Sequence, residues 1–262
     1  MTNPKALVLR NAGTNCEEET ARALRMSGAE AQILHFNRLL EEPQRLDELD
    51  IIVIAGGFSY GDDVAAGRVW GLELRSALGE ALRKYVDRGG LTLGVCNGFQ
   101  VLVESGLFDP PQDTNKRDIA LTNNESNHYE CRWVTLESVD CACPWIKGGE
   151  LMPTPIAHAE GRFVVRDDAV LERLKANNQI ALRYVTESGG PASYPQNPNG
   201  SVDGIAGICD PTGRVLGLMP HPERNLDPWQ HPKWTRMGKR TRGEGLAFYE
   251  RLVACAAGGV CA

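Results

Sequence analysis

The chain has 262 residues, 42% hydrophobic and 24% charged, with a net charge of −6 and a pI near 5.5. That length suits one large domain or two small ones, with enough chain to bury a core without disulfides or metals. The acidic balance argues against a nucleic-acid binder, and the abundance of Val, Leu and Ile excludes a disordered chain.

The first strand is predicted from Lys5 to Arg10, opening onto Asn11-Ala12-Gly13-Thr14-Asn15. Helical spacing follows from Glu17 to Ser27 with a stop at Gly28. Ala31 to Phe36 reads as a second strand. Leu49 to Ala55 is a third, and its near-continuous apolar run suggests burial on both faces, as in a parallel sheet. A helix from Leu74 to Asp87 and a strand from Leu91 to Val95 complete the pattern. Strands alternating with helices predict a doubly wound, flavodoxin-like α/β sheet, mostly parallel, with helices on both faces. From Tyr129 to Val139 and Pro155 to Val165 the pattern turns to alternating strands, which predicts a smaller antiparallel sheet. A Gly/Pro/Asn/Ser loop from Ser188 to Ser201 precedes a hairpin, Ile205 to Cys209 and Val215 to Met219, around Asp210-Pro211-Thr212-Gly213. The last helix is Glu244 to Ala256. With no repeat and no linker, residues 1–262 read as a single domain.

No stretch approaches the roughly 20 apolar residues that span a bilayer. Met1-Thr2-Asn3-Pro4-Lys5 lacks the apolar run of a secretion signal. The eight scattered cysteines read as reduced thiols. The expectation is a cytoplasmic protein with no membrane partner.

Gly94-Val95-Cys96-Asn97-Gly98-Phe99-Gln100 joins a buried strand to a helix. A cysteine between glycines at that junction sits on a sharp elbow, like the serine of α/β-hydrolases. The helix N-terminus favours a thiolate there. Taken alone, the motif reads equally well as a buried structural cysteine. A thiol nucleophile also needs a base, and the base an orienting group. Pro220-His221-Pro222-Glu223-Arg224 follows a strand directly, and the Glu223 carboxylate is placed to accept the second imidazole N–H. Alone, it would read as a surface turn. Gly56-Gly57, after the third strand, lets backbone N–H groups approach a substrate. With the N–H of Asn97, it makes an oxyanion hole. The segment lacks a Gly-Lys-Ser/Thr ending and any Gly-x-Gly-x-x-Gly, so a nucleotide loop is not expected.

These three elements, in this order, resemble the class I glutamine amidotransferases, and among them the glutaminase subunits of phosphoribosylformylglycinamidine synthase. Asn11 to Cys16, Gly56 to Asp62, Tyr129 to Trp133, Ile156 to Phe163 and Asn199-Gly200-Ser201 carry the likeness further, over about residues 5–227. The resemblance implies Cys96 as nucleophile, His221 as general base and acid, and Glu223 as its orienter. It implies Gly57 and Asn97 as oxyanion donors, and Phe58 and Gln100 as the glutamine pocket. His158 and Glu160 are similar to family residues near the mouth of the site. Ala55 stands where the family usually has Pro, Ala159 where Gly is common, and Asp63-Val64 where Tyr-Leu is more usual. None of these touches the triad. The implied reaction splits glutamine through a thioester and passes ammonia to a synthetase subunit, with a small accessory subunit as a further partner. ATP and Mg²⁺ are expected on that synthetase and no cofactor in this chain.

Two other readings compete with these. A glutaminase of another biosynthetic pathway is disfavoured by Phe58-Ser59-Tyr60-Gly61-Asp62 and by Asn97-Gly98-Phe99. A redox module using Cys96 as a sensor is disfavoured by His221-Pro222-Glu223. Cys131, Cys141 and Cys143 with a histidine suggest zinc only weakly, since Cys-x-Cys lacks a second pair, and no metal is expected. Finally, Trp229 to Gly243 holds Lys233, Arg236, Lys239, Arg240 and Arg242 with no acidic residue. It reads either as a docking surface anchored by Trp229 and Trp234 or as a solvated basic loop.

Overall fold

The structure is a computed structural model describing residues 3–108 and 117–259. In chain order the elements are β1 (Lys5–Arg10), α1 (Glu17–Met26), β2 (Glu30–His35), α2 (Phe36–Glu41), β3 (Ile51–Ile54), α3 (Arg68–Asp87), β4 (Leu91–Val95) and α4 (Asn97–Ser105). After them come β5 (Ile119–Thr122), β6 (Glu130–Ser138), β7 (Leu151–His158), β8 (Arg162–Val165), α5 (Asp168–Ala176) and β9 (Ile180–Val185). The chain closes with β10 (Ile205–Cys209), β11 (Val215–Leu218) and α6 (Glu244–Ala256).

One nine-stranded sheet runs in the order β2-β1-β3-β4-β11-β10-β9-β6-β7. The first five strands in that order are mutually parallel. Every residue of β3 and β4 is buried, which explains the unbroken apolar run of β3 and the absence of charged residues from β4. The chain leaves β1 in one direction to reach β2 and leaves β3 in the other to reach β4. With right-handed crossovers this puts α1 and α3 on opposite faces. Accordingly α6 packs beside α1, and α4 beside α3.

The middle of the chain departs from expectation in one respect. Its antiparallel strands mostly extend the main sheet, since β10, β9, β6 and β7 all pair antiparallel. The separate antiparallel sheet is only β5 with β8. The run expected from Pro155 to Val165 is two strands, β7 and β8, interrupted at Ala159-Glu160-Gly161. Helix α3 begins six residues before the expected Leu74, running through Gly71. A β-carbon at Gly71 would lie 2.8 Å from the Val101 carbonyl oxygen. That glycine permits a close crossing of α3 over α4 and does not break the helix.

No helix among the described residues is long and apolar enough to cross a membrane. The segment after Trp229 forms a single tight turn at Trp234–Arg236. Lys233 pairs with Glu187, Arg240 with Glu244 and Arg242 with Glu250. Much of the basic run is therefore neutralised within the chain, while Trp229 and Trp234 remain exposed.

Candidate active site

The ends of β1, β3, β4 and β11 all open at the carboxyl edge of the parallel strands, where open α/β sheets bind ligands. Cys96 follows β4 with φ 53° and ψ −109°, outside the region that side chains normally adopt. Its N–H donates to the Leu218 carbonyl of β11 at 2.8 Å, and its carbonyl accepts the N–H of Phe99 at 2.9 Å. The turn is tight because Gly98 lies against β3: a β-carbon there would meet the Ile54 oxygen at 1.9 Å. The thiol is nearly buried, and its sulfur sits 3.7 Å from the Ala157 carbonyl of β7.

His221 comes off β11 and is 1% exposed, as is Glu223. Nδ1 of His221 lies 2.5 Å from Oε1 of Glu223. A carboxylate only accepts, so Nδ1 carries the proton and Nε2 is the free nitrogen. That Nε2 is buried with no hydrogen-bond partner among the described residues. Burial alone would lower the imidazole pKa. The Glu223 charge, Cys96 and the Cys16 thiol together outweigh it and leave His221 well above its ordinary value. The second oxygen of Glu223 accepts the Tyr249 hydroxyl of α6 at 3.4 Å. The backbone of this turn hangs on β7: the His221 N–H donates to the Pro155 carbonyl at 2.9 Å and Asn225 Nδ2 to that of Pro153 at 2.8 Å.

Gly57 and Asn97 belong to the two loops that face each other across this edge. The side chain of Asn97 joins them, accepting the Ser59 N–H at 3.1 Å and donating to Gln100 Oε1 at 2.9 Å. Gln100 Nε2 in turn donates to the Glu160 carbonyl at 2.6 Å, so both ends of its amide are engaged. Phe58 is exposed and stacks on Tyr129 with ring centroids 6.5 Å apart. The Glu160 carboxylate accepts the Ala66 N–H at 3.2 Å. Beside it, burial and then the charge of Glu160 push the half-buried Asp62 up to about 6.

His158, expected near the mouth, is a buried ring. Its Nδ1 lies 3.1 Å from Asn124 Oδ1, and burial, then the nearby His221, drop its pKa to about 3. It is neutral at physiological pH. Asn124 also accepts the Gly161 N–H at 3.1 Å and donates to the carbonyls of His128 and His158 at 2.9 and 2.8 Å. Neither Asn124 nor Tyr249 carries a motif signal. Cys16 was visible only as the end of the Asn11 to Cys16 run.

The cysteines of the zinc reading are separated. Cys131 is exposed at one end of β6, while Cys141 and Cys143 lie beyond the other end, roughly 25 Å along the strand at its normal rise. Among the described residues, the trio with ligand atoms close enough for a common ion is Cys16, His221 and Glu223. Arg224 Nη2 sits 3.1 Å from the Cys16 sulfur, and its positive charge disfavours a cation there, while the Glu223 carboxylate is engaged by Nδ1 of His221.

A buried imidazole–carboxylate pair beside a strained cysteine elbow on a doubly wound sheet fits the class I glutamine amidotransferases, and the likeness to known proteins places the chain among them. The family model for the CobB/CobQ-like glutamine amidotransferase domain matches residues 3–254. Subunit PurQ of phosphoribosylformylglycinamidine synthase from Methanococcus maripaludis is 45% identical over 88% of this chain and 86% of its own. The same subunit from Dehalococcoides mccartyi is 40% identical over 97% and 98%. Among solved structures, PurLQS from Thermotoga maritima superposes with a TM-score of 0.72 at 30% identity, covering 98% of this chain and 100% of that one. The chain belongs to the CobB/CobQ-like glutamine amidotransferase family and, within it, to the PurQ subunits of phosphoribosylformylglycinamidine synthase.

Proposed function

We propose that this chain is the glutaminase subunit of phosphoribosylformylglycinamidine synthase, with Cys96, His221 and Glu223 as its catalytic triad. The observation that carries the assignment is the buried His221–Glu223 pair at 2.5 Å, with Nε2 left free beside Cys96. In this mechanism the Cys96 sulfur attacks the side-chain carboxamide carbon of glutamine. The N–H groups of Gly57 and Asn97 receive the negative oxygen of the tetrahedral intermediate. The thiol proton, held on His221, passes to the departing nitrogen, and ammonia leaves. Water, deprotonated by His221, then attacks the γ-glutamyl thioester and releases glutamate with the thiol restored. Glu223 holds the tautomer and stabilises the imidazolium. Phe58 and Gln100 line the pocket for the α-amino and α-carboxylate groups, Gln100 as a wall, since its own amide is already hydrogen-bonded at both ends.

Ammonia is useful to the next reaction only while unprotonated, so a dry path to a synthetase subunit is expected. On that partner, ATP and Mg²⁺ convert formylglycinamide ribonucleotide to its amidine, with a small accessory subunit completing the assembly. This chain holds no cofactor of its own and acts in the cytoplasm, without nucleic acid or membrane.

Replacing Cys96 with Ala in the reconstituted complex should abolish glutamine-dependent amidine synthesis and leave ammonia-dependent synthesis nearly intact. Equal loss of both activities would overturn the reading. Retention of both would point to a redox role for Cys96.

A further inference from the structure

The imidazole of His221 has two thiol neighbours, and the mechanism above uses only one. The other, Cys16, is 1% exposed at the start of α1. Helix starts favour Ser, Thr, Asp or Asn because the side chain can accept a backbone N–H of the first turn. Cys16 occupies the cap position and makes no such bond, so capping does not account for the residue. Its side chain turns the other way. The thiol donates to Asn15 Oδ1 at 3.1 Å, and the sulfur accepts from Arg224 Nη2 at 3.1 Å. Arg224 is itself held by Glu19 through Nε at 2.7 Å. Gly56 forms the floor beneath both rows. A β-carbon there would lie 3.0 Å from His221 Cε1 and 3.1 Å from the Cys16 sulfur, so the ring edge and the sulfur share one wall. The sulfur, a ring nitrogen of His221 and a Glu223 carboxylate oxygen all fall within 4.8 Å of one another.

Resting on the assignment of His221 as the base, we infer that Cys16 is a positioning residue: clamped by Asn15 and Arg224, its sulfur braces the imidazole towards Cys96 and gives the protonated ring a second polar neighbour. The base then stands between a carboxylate, which fixes the tautomer, and a sulfur, which fixes the tilt. Cys16 does not compete as a nucleophile. It sits at a helix cap and not on a strained elbow, and burial raises its thiol pKa against the lowering effect of His221. Arg224 behind the sulfur also makes the pair unsuited to a metal ion.

The test uses the reconstituted complex with the synthetase. Cys16→Ala should slow thioester formation at saturating glutamine by roughly 10-fold, with KM within about 2-fold, since a small misplacement of the base costs rate more than binding. Ammonia-dependent synthesis should be unchanged. Glu223, Cys96 and Cys16 favour the charged form of His221, while the buried ring of His158 and the Tyr129 hydroxyl lie within reach of its charge and Arg224 sits on the Cys16 sulfur. Removing Cys16 takes away a neighbour that favours the imidazolium, so the limb of the pH profile belonging to His221 should move to lower pH. Cys16→Ser, which keeps a polar atom on a shorter bond, should recover part of both effects. Cys16→Val, which fills the space without a polar atom, should reproduce the pH shift if the alanine variant folds poorly. Wild-type rate and pH profile in Cys16→Ala overturn the inference, as does an unshifted profile in Cys16→Val. Cys96→Ala run alongside separates the two levels: its retention of glutamine-dependent activity would defeat the triad itself. Its loss, with Cys16→Ala silent, would defeat only the role given to Cys16.

Discussion

Replacing Glu223 with Gln keeps the shape of the orienting side chain and removes its charge. In the wild type the carboxylate sits 2.5 Å from Nδ1 of a fully buried imidazole. An amide oxygen in its place can still accept that N–H, so the loss is the difference between a charge-assisted and a neutral hydrogen bond, about 1–2 kcal/mol. At 1.36 kcal/mol per pKa unit, this lowers the imidazolium pKa by about one unit and thioester formation by roughly 5- to 30-fold. His221→Ala should cost more, at least on the order of 10²-fold, because it removes the group that moves the proton. The rate of γ-glutamyl thioester formation, by quenched flow in the complex from pH 6 to 9, measures both. The same pair predicts a stability signature. The folded pKa of His221 is raised. Its protonation therefore stabilises the fold fully below the unfolded value of about 6.5, and the contribution fades as pH rises through the folded value. Wild type should exceed Glu223→Gln most at pH 6, with a gap in denaturation free energy that narrows towards pH 9. A pH-independent gap, or a Glu223→Gln enzyme slower than His221→Ala, would refute the reasoning.

Gly98→Ala would place a methyl carbon 1.9 Å from the Ile54 oxygen, a backbone atom that cannot swing aside. The start of α4 must move, at an expected cost of about 3 kcal/mol; a wild-type midpoint in urea would show that the elbow does not depend on this contact. Asp62→Asn should stabilise the fold. Burial, with Glu160 next, raises that carboxyl to about 6, so its ionised form destabilises the fold as pH climbs from the unfolded value through 6. The full shift would be worth about 3 kcal/mol, and solvent screening of this half-buried group reduces it to about 1 kcal/mol. The melting temperature should rise at pH 8 and be unchanged at pH 4; no rise at pH 8 would contradict the account.

The parts of this fold that were legible in the sequence are those where one physical cause dominates. The middle of β1 and all of β3 and β4 are buried on both faces, and a strand with no solvent side leaves a mostly apolar run without charges. The hairpin of β10 and β11 announced itself through Asp210, whose carboxylate accepts the N–H groups of Thr212 and Val215. Helix α3 was expected only from Leu74, and its first six residues hold Gly71, a residue type that usually marks a helix end but here opens a helix crossing. α5 and β9 went without an expectation, and the antiparallel strands were assigned to a separate sheet. Alternation says that a strand has one buried face but not which sheet it joins. At the site, Cys96, His221 and Glu223 were readable because each lies at a strand end within a short motif. Cys16, Asn124 and Tyr249 were not, since each reaches the site from an element whose register only the assembled sheet determines.

The two prolines of β7 link these observations. Pro153 and Pro155 cannot donate to a neighbouring strand, and the expected strand began at Pro155, four residues after the start of β7. In the sheet, β7 is the edge, paired on one side to β6 alone. An edge proline adds no donor but keeps its carbonyl oxygen. Those two carbonyls accept the His221 N–H and the Asn225 side chain. The residues that break the rule for an interior strand therefore end the sheet and anchor the turn that carries the base. Altering either strand edge should reach the chemistry through His221 before it reaches the stability of the fold.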